Sequence, residues 1–208
     1  MKKGFTLIEI IVSLAIFTVV AVVAVGAFLK IIDANKKSQT LQTAVNNVNF
    51  AFESMAREIR VGSSYYCYHD PNGTISFDGT AFSASSCSLA SGYNAIAFRS
   101  SDKGTYSSGG SQTCNLIHAY RYIPSNGYIE KAKQLHCDDT INNSAPFYEL
   151  TADDLKIDRF ALKVDSVSPI SPNAIQPKVF IFINAHSGTG KGASYFTVQT
   201  TASQRTMN

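Results

Sequence analysis

The most constraining feature of this sequence is a long uncharged segment close to its N-terminus. Residues 10–29 contain no charged side chain and no proline. An α-helix rises about 1.5 Å per residue, so about 20 residues span about 30 Å, the thickness of the hydrocarbon core of a bilayer. The segment therefore predicts a membrane-spanning helix. Lysines stand on both sides of it, so the positive-inside rule gives only a weak orientation.

A cleavable secretory signal is the alternative interpretation of this N-terminus. Such a signal has a basic start, about 7 to 15 apolar residues and a small-residue cleavage site, for which Ala24, Gly26 and Ala27 are available. Two features argue against it, because the uncharged segment is too long and Glu9 stands at its start. A carboxylate buried alone in lipid costs about 2 to 3 kcal/mol or more, so Glu9 needs a partner.

The first ten residues, Met-Lys-Lys-Gly-Phe-Thr-Leu-Ile-Glu-Ile, resemble the N-terminus of type IV prepilins and type II secretion pseudopilins. The resemblance implies that residues 1–4 are a leader, that prepilin peptidase cuts between Gly4 and Phe5, and that it methylates the new amino group. Cleavage would lower the number of Lys and Arg residues from 18 to 16, against 15 acidic residues, because two lysines lie in the leader.

The resemblance also implies a role for Glu9 in assembly. Apolar helices of many subunits form the shared core of a filament, where a carboxylate is tolerated only if it is paired. The α-amino group of Phe5 in a neighbouring subunit is such a partner, and the pair would fix the axial register. The alternative is a membrane helix with an incidental interfacial glutamate. Gly26 stands where many family members have a proline that loosens the helix. Whether the helix of this chain melts locally on assembly is therefore an open question.

A second helical pattern continues beyond the uncharged segment. Apolar residues recur at intervals of three and four and form a stripe, and Gly62 is a plausible end of the helix; the stripe consists of Leu41, Val45, Val48, Phe52, Met55 and Ile59. We therefore predict a transmembrane and polymerisation helix over residues 5–32 and an amphipathic second half over 33–61. The stripe is expected to pack against a following sheet.

The remainder, residues 62–208, is predicted to be an extracytoplasmic β-rich domain. The predicted strands are 95–99, 116–123, 128–135, 160–167, 178–184 and 194–201. Residues 179–183 are apolar throughout, which indicates a central strand covered on both sides, and much of 84–113 is predicted to be surface loop. The predicted fold class is α+β and pilin-like, with a long N-terminal helix, membrane-spanning in its first half, packed on an antiparallel β-sheet domain.

Several short segments extend the resemblance to W-type minor pilins and J-type minor pseudopilins. Their order along the chain carries the resemblance, since each alone is common; they are residues 41–46, 55–60, 96–99, 119–122, 176–179 and 198–201. The resemblance implies a minor subunit that acts in filament assembly or initiation near the tip. Its implied partners are other pilin or pseudopilin subunits, prepilin peptidase and inner-membrane lipid.

Four cysteines follow the membrane segment, and none forms a C-x-x-C pair; they are Cys67, Cys87, Cys114 and Cys137. An oxidising exterior favours disulfides, and four cysteines allow three connectivities. If strands 116–123 and 128–135 form a hairpin centred on Ser125 and Asn126, the numbers of opposed residues add up to 251, as do those of Cys114 and Cys137. We therefore predict Cys114 with Cys137 and Cys67 with Cys87. Reduced thiols are the alternative, and a hairpin centred one residue later would strain the first bridge.

No motif for catalysis, a cofactor or a metal ion stands out. The histidines lack the H-E-x-x-H spacing, no G-x-S-x-G is present, and calcium binding by Asp138 and Asp139 or Asp153 and Asp154 has no EF-hand spacing to support it. A formal charge of +3 does not indicate nucleic-acid binding.

The sequence thus predicts a non-enzymatic subunit, single-pass in a bacterial inner membrane, with its C-terminal domain outside the cytoplasm. The alternative, a membrane-anchored exported enzyme or ligand-binding module, would show convergent titratable groups in one cleft.

Overall fold

The computed structural model describes residues 4–68, 94–106, 112–132, 147–152, 155–165, 176–188, 190 and 193–205, without the side chains of 102–106 and 112–115. The chain forms two compact units, Met1–Gln42 and Thr43–Asn208. The described elements are one helix, α1 (Leu7–Val61), and eight strands: β1 (Ser63–Tyr68), β2 (Ala95–Tyr106), β3 (Gln112–Ile123), β4 (Tyr128–Ala132), β5 (Phe147–Glu149), β6 (Leu155–Asp165), β7 (Lys178–Ser187) and β8 (Ser194–Ser203). The predicted α+β, pilin-like class is confirmed.

The end of α1 is fixed by close packing. Gly62 follows the last helical residue, and its amide donates to the carbonyl of Ile59 at 3.0 Å. A Cβ atom at Gly62 would lie 2.4 Å from Cδ2 of the buried Phe98 ring, so only glycine fits there. The hydroxyl of Tyr65 on β1 lies 2.7 Å from the carbonyl oxygen of Ile59. A side chain of the sheet thereby gives a second hydrogen bond to a carbonyl of the last helical turn.

The buried face of the second half of α1 differs slightly from the predicted stripe. Val48, Phe52, Met55 and Ile59 are buried as predicted, whereas Leu41 and Val45 are only half-buried. The sequence pattern missed three alanines that complete the buried face, namely Ala44, Ala51 and Ala56. Alanine contributes little to an apolar stripe in the sequence because its side chain is small, yet its small size allows the helix backbone to approach the sheet closely.

Five strands form an antiparallel sheet in the order β1-β2-β3-β4-β5. The β3–β4 hairpin pairs Tyr120 with Lys131 and Ile123 with Tyr128, so opposed residue numbers add up to 251 as predicted. The turn explains this register, because Gly127 has a φ of 74° and its amide donates to the carbonyl of Ile123 at 3.0 Å. Glycine adopts this left-handed conformation without the steric penalty that a side chain would bring.

The remaining strands form a separate antiparallel sheet, in the order β6-β7-β8. Strand β7 is central, as predicted for residues 179–183, but it is fully covered on one face only. Val179, Ile181 and Ile183 are buried, whereas Phe180 and Phe182 on the opposite face are half-buried. These large aromatic rings cover part of the outer face of β7 themselves. A strand that is apolar throughout can therefore have one face in contact with solvent.

Other strand boundaries also differ from those predicted. Strands β1 and β5 were not predicted, β6 begins at Leu155, and β2 continues to Tyr106 through residues expected to be loop. Beyond Arg99, β2 pairs with the start of β3, from Lys103 opposite Asn115 to Tyr106 opposite Gln112. The ladder of backbone hydrogen bonds holds this two-stranded extension despite its polar composition, because backbone pairing does not need apolar side chains.

The two sheets and the second half of α1 share one hydrophobic core. Met55 of the helix, Tyr120 of β3 and Ile181 of β7 belong to the same buried cluster. The hydroxyl of Tyr122 also donates to the carbonyl of Ile157 at 2.7 Å, and the amide of Ile157 donates to the carbonyl of Gly127 at 2.7 Å. These bonds join β6 to the β3–β4 hairpin. The predicted antiparallel β-sheet domain therefore consists, in its described part, of two sheets with a common core.

Candidate assembly site

The helix begins immediately after the predicted cleavage point. The carbonyl of Thr6 accepts the amides of Glu9 at 3.1 Å and Ile10 at 3.4 Å, so the first helical turn starts at Leu7. Glu9 lies in that turn. A carboxylate in the first turn interacts favourably with the positive end of the helix dipole. The local fold thus accommodates Glu9 within a single chain, although none of the described side chains supplies it with a cation.

The first half of α1 exposes its large apolar side chains. An 18-residue window of the helix has a mean hydropathy of 2.8, and none of it is buried. Phe5 and Leu7 are each 79% exposed. Such a surface is far larger than the isolated apolar groups found on soluble monomers, so it requires lipid or the helices of other subunits as cover. The helix is long and apolar enough to cross a membrane.

Glu9 borders a shallow groove along this apolar surface. The groove has a volume of about 480 Å³, and Phe5, Ser13 and Phe17 are among the residues that line it with Glu9. The hydroxyl of Ser13 donates to the backbone carbonyl of Glu9 at 2.7 Å, so it does not occupy the carboxylate. Within the described residues, no side chain binds that carboxylate. It is therefore available to a group from outside the chain.

Neither of the two glycines in this part of the chain is required by packing. A Cβ atom at Gly4 or at Gly26 would meet no atom within 4 Å. The helix also runs continuously through Gly26. A requirement for glycine at position 4 would consequently come from an interaction outside the folded chain, such as recognition by a peptidase.

A second group of titratable residues lies in the Thr43–Asn208 unit, and the sequence patterns did not reveal it. The carboxylate of Glu58, near the end of α1, accepts hydrogen bonds from the ring of His118 at 2.8 Å and the hydroxyl of Tyr120 at 2.7 Å. Its other oxygen binds the ammonium group of Lys131 on β4. Three donors from two neighbouring strands therefore converge on one helical carboxylate.

The electrostatics of Glu58 show that its hydrogen bonds outweigh its burial. Burial alone would raise the pKa of Glu58, but the bonds from His118, Lys131 and Tyr120 lower that pKa from 4.5 to about 2. Burial raises the pKa of Tyr120, and the negative charge of Glu58 raises it further. The cluster thus holds an ionised carboxylate beside a neutral phenol and joins α1 to the sheet. The sequence gives only a weak indication of this cluster: Glu58 is next to Ile59, a residue of the predicted apolar stripe.

The predicted disulfides lie largely outside the described residues. Cys67 on β1 is disulfide-bonded, but the side chain of its partner is not among those described. The backbone of Cys114 lies in β3 opposite Gly104, whereas Cys87 and Cys137 fall outside the described ranges. The confirmed hairpin register is the one from which the Cys114–Cys137 bridge was predicted, and the pairing itself stays a prediction. The aspartates at 138–139 and 153–154 also lie outside the description.

Comparison with known proteins assigns the N-terminus. Residues 1–25 match the family described as the prokaryotic N-terminal methylation motif. No curated protein and no solved structure shows significant similarity to the chain. The motif followed by an uncovered apolar helix fits a protein that is anchored in the inner membrane and becomes part of a filament. The match therefore supports a type IV pilin-like protein that is processed by prepilin peptidase.

Proposed function

We propose that this protein is a minor structural subunit of a type IV pilus or a type II secretion pseudopilus and acts in filament initiation near the tip. One observation carries the proposal: the methylation motif leads directly into an uncovered apolar helix whose Glu9 carboxylate has no side-chain partner among the described residues. Prepilin peptidase would cut between Gly4 and Phe5, and the mature helix would then enter a bundle with other subunits.

The chemistry of assembly follows from Glu9. When the apolar helices of neighbouring subunits pack together, they remove this carboxylate from water. The methylated α-amino group of Phe5 in an adjacent subunit is cationic and would pair with it. Leaving a buried charge without its partner costs about 3 to 5 kcal/mol, so the pair would select one axial register over others.

The assignment to the minor class is supported by where the W-type and J-type segments lie. Residues 55–60 lie in the last turns of α1 and include the buried Met55, Ala56 and Ile59. Residues 96–99 and 119–122 lie on the paired strands β2 and β3 of the five-stranded sheet. Residues 198–201 belong to β8. From the presence of Glu9 we infer a position just below the tip or within an initiating complex, because a subunit at the extreme tip has no neighbour above it and needs no such carboxylate.

A non-enzymatic role is supported by the hydrogen bonds that the carboxylate of Glu58 makes within its own chain. Both carboxylate oxygens are occupied by donors of the same chain. An acid or base in catalysis must reach a substrate, whereas the hydrogen bonds of Glu58 hold its carboxylate against β3 and β4 of the same chain. The convergent groups therefore act as a contact between helix and sheet.

The experiment compares Glu9→Ala with Ser13→Ala, a substitution on the same groove that leaves the carboxylate in place. We expect both variants to be processed to Phe5 and to keep a protease-resistant C-terminal domain, and only Glu9→Ala to lose crosslinking to companion subunits. Intact-mass measurement reports processing, and crosslinking followed by co-purification reports assembly.

Two outcomes would contradict the proposal. A mature N-terminus at Ala24 or beyond would indicate an ordinary signal peptide. A folded Glu9→Ala protein that crosslinks to its partners as well as wild type would show that the carboxylate has no assembly role.

A further inference from the structure

A groove separates the second half of α1 from the edge strand β8. Its volume is about 610 Å³, within the usual range for ligand sites. Phe52 and Val198 give it an apolar lining, and Gln199 contributes an amide. Where the chain leaves β8, the amide of Arg205 donates to the carbonyl of Arg60 at 2.7 Å and joins the two walls.

The charges along the groove are unbalanced. Arg57 forms an exposed ion pair with Glu53 at 3.2 Å, so these two residues neutralise each other. Arg60 and Arg205 also line the groove, and among the described residues their guanidinium groups have no ion-pair partner. The hydrogen bond between their backbones brings the two residues to the same end of the groove. Guanidinium groups are complementary to carboxylates, which they bind in a bidentate geometry.

The shape of the groove favours an extended ligand. Within the described residues, β8 pairs with β7 alone, so its other edge carries unpaired backbone groups. Residues 198–200 of this strand line the groove. An extended peptide can bind such an edge by adding its own backbone hydrogen bonds, while pockets beside the strand select its side chains.

We propose that this groove binds an extended segment of a partner protein in which apolar and acidic side chains alternate. The apolar side chains contact Phe52 and Val198, and the carboxylates bind Arg60 and Arg205. The inference uses neither the leader nor Glu9, so it does not depend on the proposed role in filament assembly.

Fluorescence anisotropy tests the proposal with the full-length processed protein in nonionic micelles. The probe is a fluorescein-labelled peptide of ten residues in which Val and Asp alternate, and a peptide with Asn in place of Asp is its control. We expect the Asp peptide to bind at least about tenfold more tightly than the Asn peptide. Arg60→Gln and Arg205→Gln should each weaken binding about fivefold or more, and salt should weaken it as well. Arg60→Lys should retain part of the affinity.

Arg159→Gln on β6 is the matched control, because it removes an exposed guanidinium group that does not line the groove. It should leave the affinity within about twofold of wild type, and circular dichroism should show all variants to be folded. Equal binding by wild type, Arg60→Gln and Arg205→Gln would overturn the proposal. So would tighter, arginine-dependent binding of a ten-nucleotide oligothymidylate or of inorganic phosphate, which would indicate a general anion site.

Discussion

Replacing Glu58 with glutamine tests how strongly the helix is held on the sheet. The substitution keeps the size of the side chain but removes its charge, and it places an amide donor where the carboxylate accepts from three donors. Lys131 then loses its counter-charge in a partly buried site, and His118 loses an acceptor. Glu53→Gln is the matched control, because Glu53 lies on the same helix in an ion pair that is largely exposed.

The magnitude follows from the pKa of Glu58. A fall from 4.5 to about 2 corresponds to about 3 kcal/mol of extra stability for the ionised form, since each pH unit is worth about 1.4 kcal/mol. Solvent reaches 24% of the side chain and screens part of this energy, so we expect a loss of about 2 kcal/mol in the free energy of unfolding. The exposed pair of Glu53 is worth about 0.5 kcal/mol or less.

Urea-induced unfolding of the processed full-length protein in nonionic micelles gives the measurement. The chain has 10 tyrosines and no tryptophan, so near-ultraviolet circular dichroism of tyrosine reports tertiary packing. The folded-state pKa of Glu58 lies below its unfolded value. Its stabilisation is therefore fully present above about pH 4.5 and is lost as the pH falls through about 2. The gap between wild type and Glu58→Gln should narrow over this range.

Two results would refute this reasoning. If Glu58→Gln and Glu53→Gln unfold at the same urea concentration at pH 7, the cluster contributes nothing beyond a surface ion pair. If the gap between wild type and Glu58→Gln stays constant down to about pH 2, the loss comes from altered packing and not from the ionised carboxylate.

Three further changes test other parts of the fold. Gly62→Ala should destabilise the domain by about 1 to 3 kcal/mol in urea unfolding, because its Cβ would overlap a buried aromatic ring; an unchanged midpoint would show that the ring moves freely. Tyr122→Phe should cost about 1 kcal/mol in the same assay, since it leaves a buried carbonyl of β6 without its donor. Non-reducing peptide mapping should link Cys114 to Cys137, and a link from Cys137 to any other cysteine would contradict the hairpin-based pairing.

The sequence predicted those features that depend on neighbouring residues. The β3–β4 register was predictable because Gly127 and the residues before it form the turn locally. The end of α1 was predictable because Gly62 interrupts a regular pattern. The uncharged segment and Glu9 were predictable because both are recognised from adjacent residues: a long run without charge, with a single carboxylate beside it.

Features that depend on distant residues were missed. His118, Tyr120 and Lys131 lie 60, 62 and 73 residues beyond Glu58, and no spacing in the sequence reveals that they meet. The sequence also carries no signal for the division into two sheets, because a strand shows the same apolar alternation whichever sheet it joins. Strand β1 did carry a signal, in the alternation of the buried Tyr65 and Cys67, but it follows the helix without an intervening turn pattern.

The shared core has a consequence for synthesis on the ribosome. Translation makes α1 first, whereas Ile181 and Ala202, which belong to the same buried cluster as Met55, come near the end of the chain. About 150 residues separate Met55 from Ala202, and at about 5 to 20 residues per second they take about 7 to 30 s to make. During that interval the apolar face of the nascent helix lacks its cover and is open to chaperones, proteases and other nascent chains. The order of the elements, and not the stability of the finished domain, sets the length of this exposure.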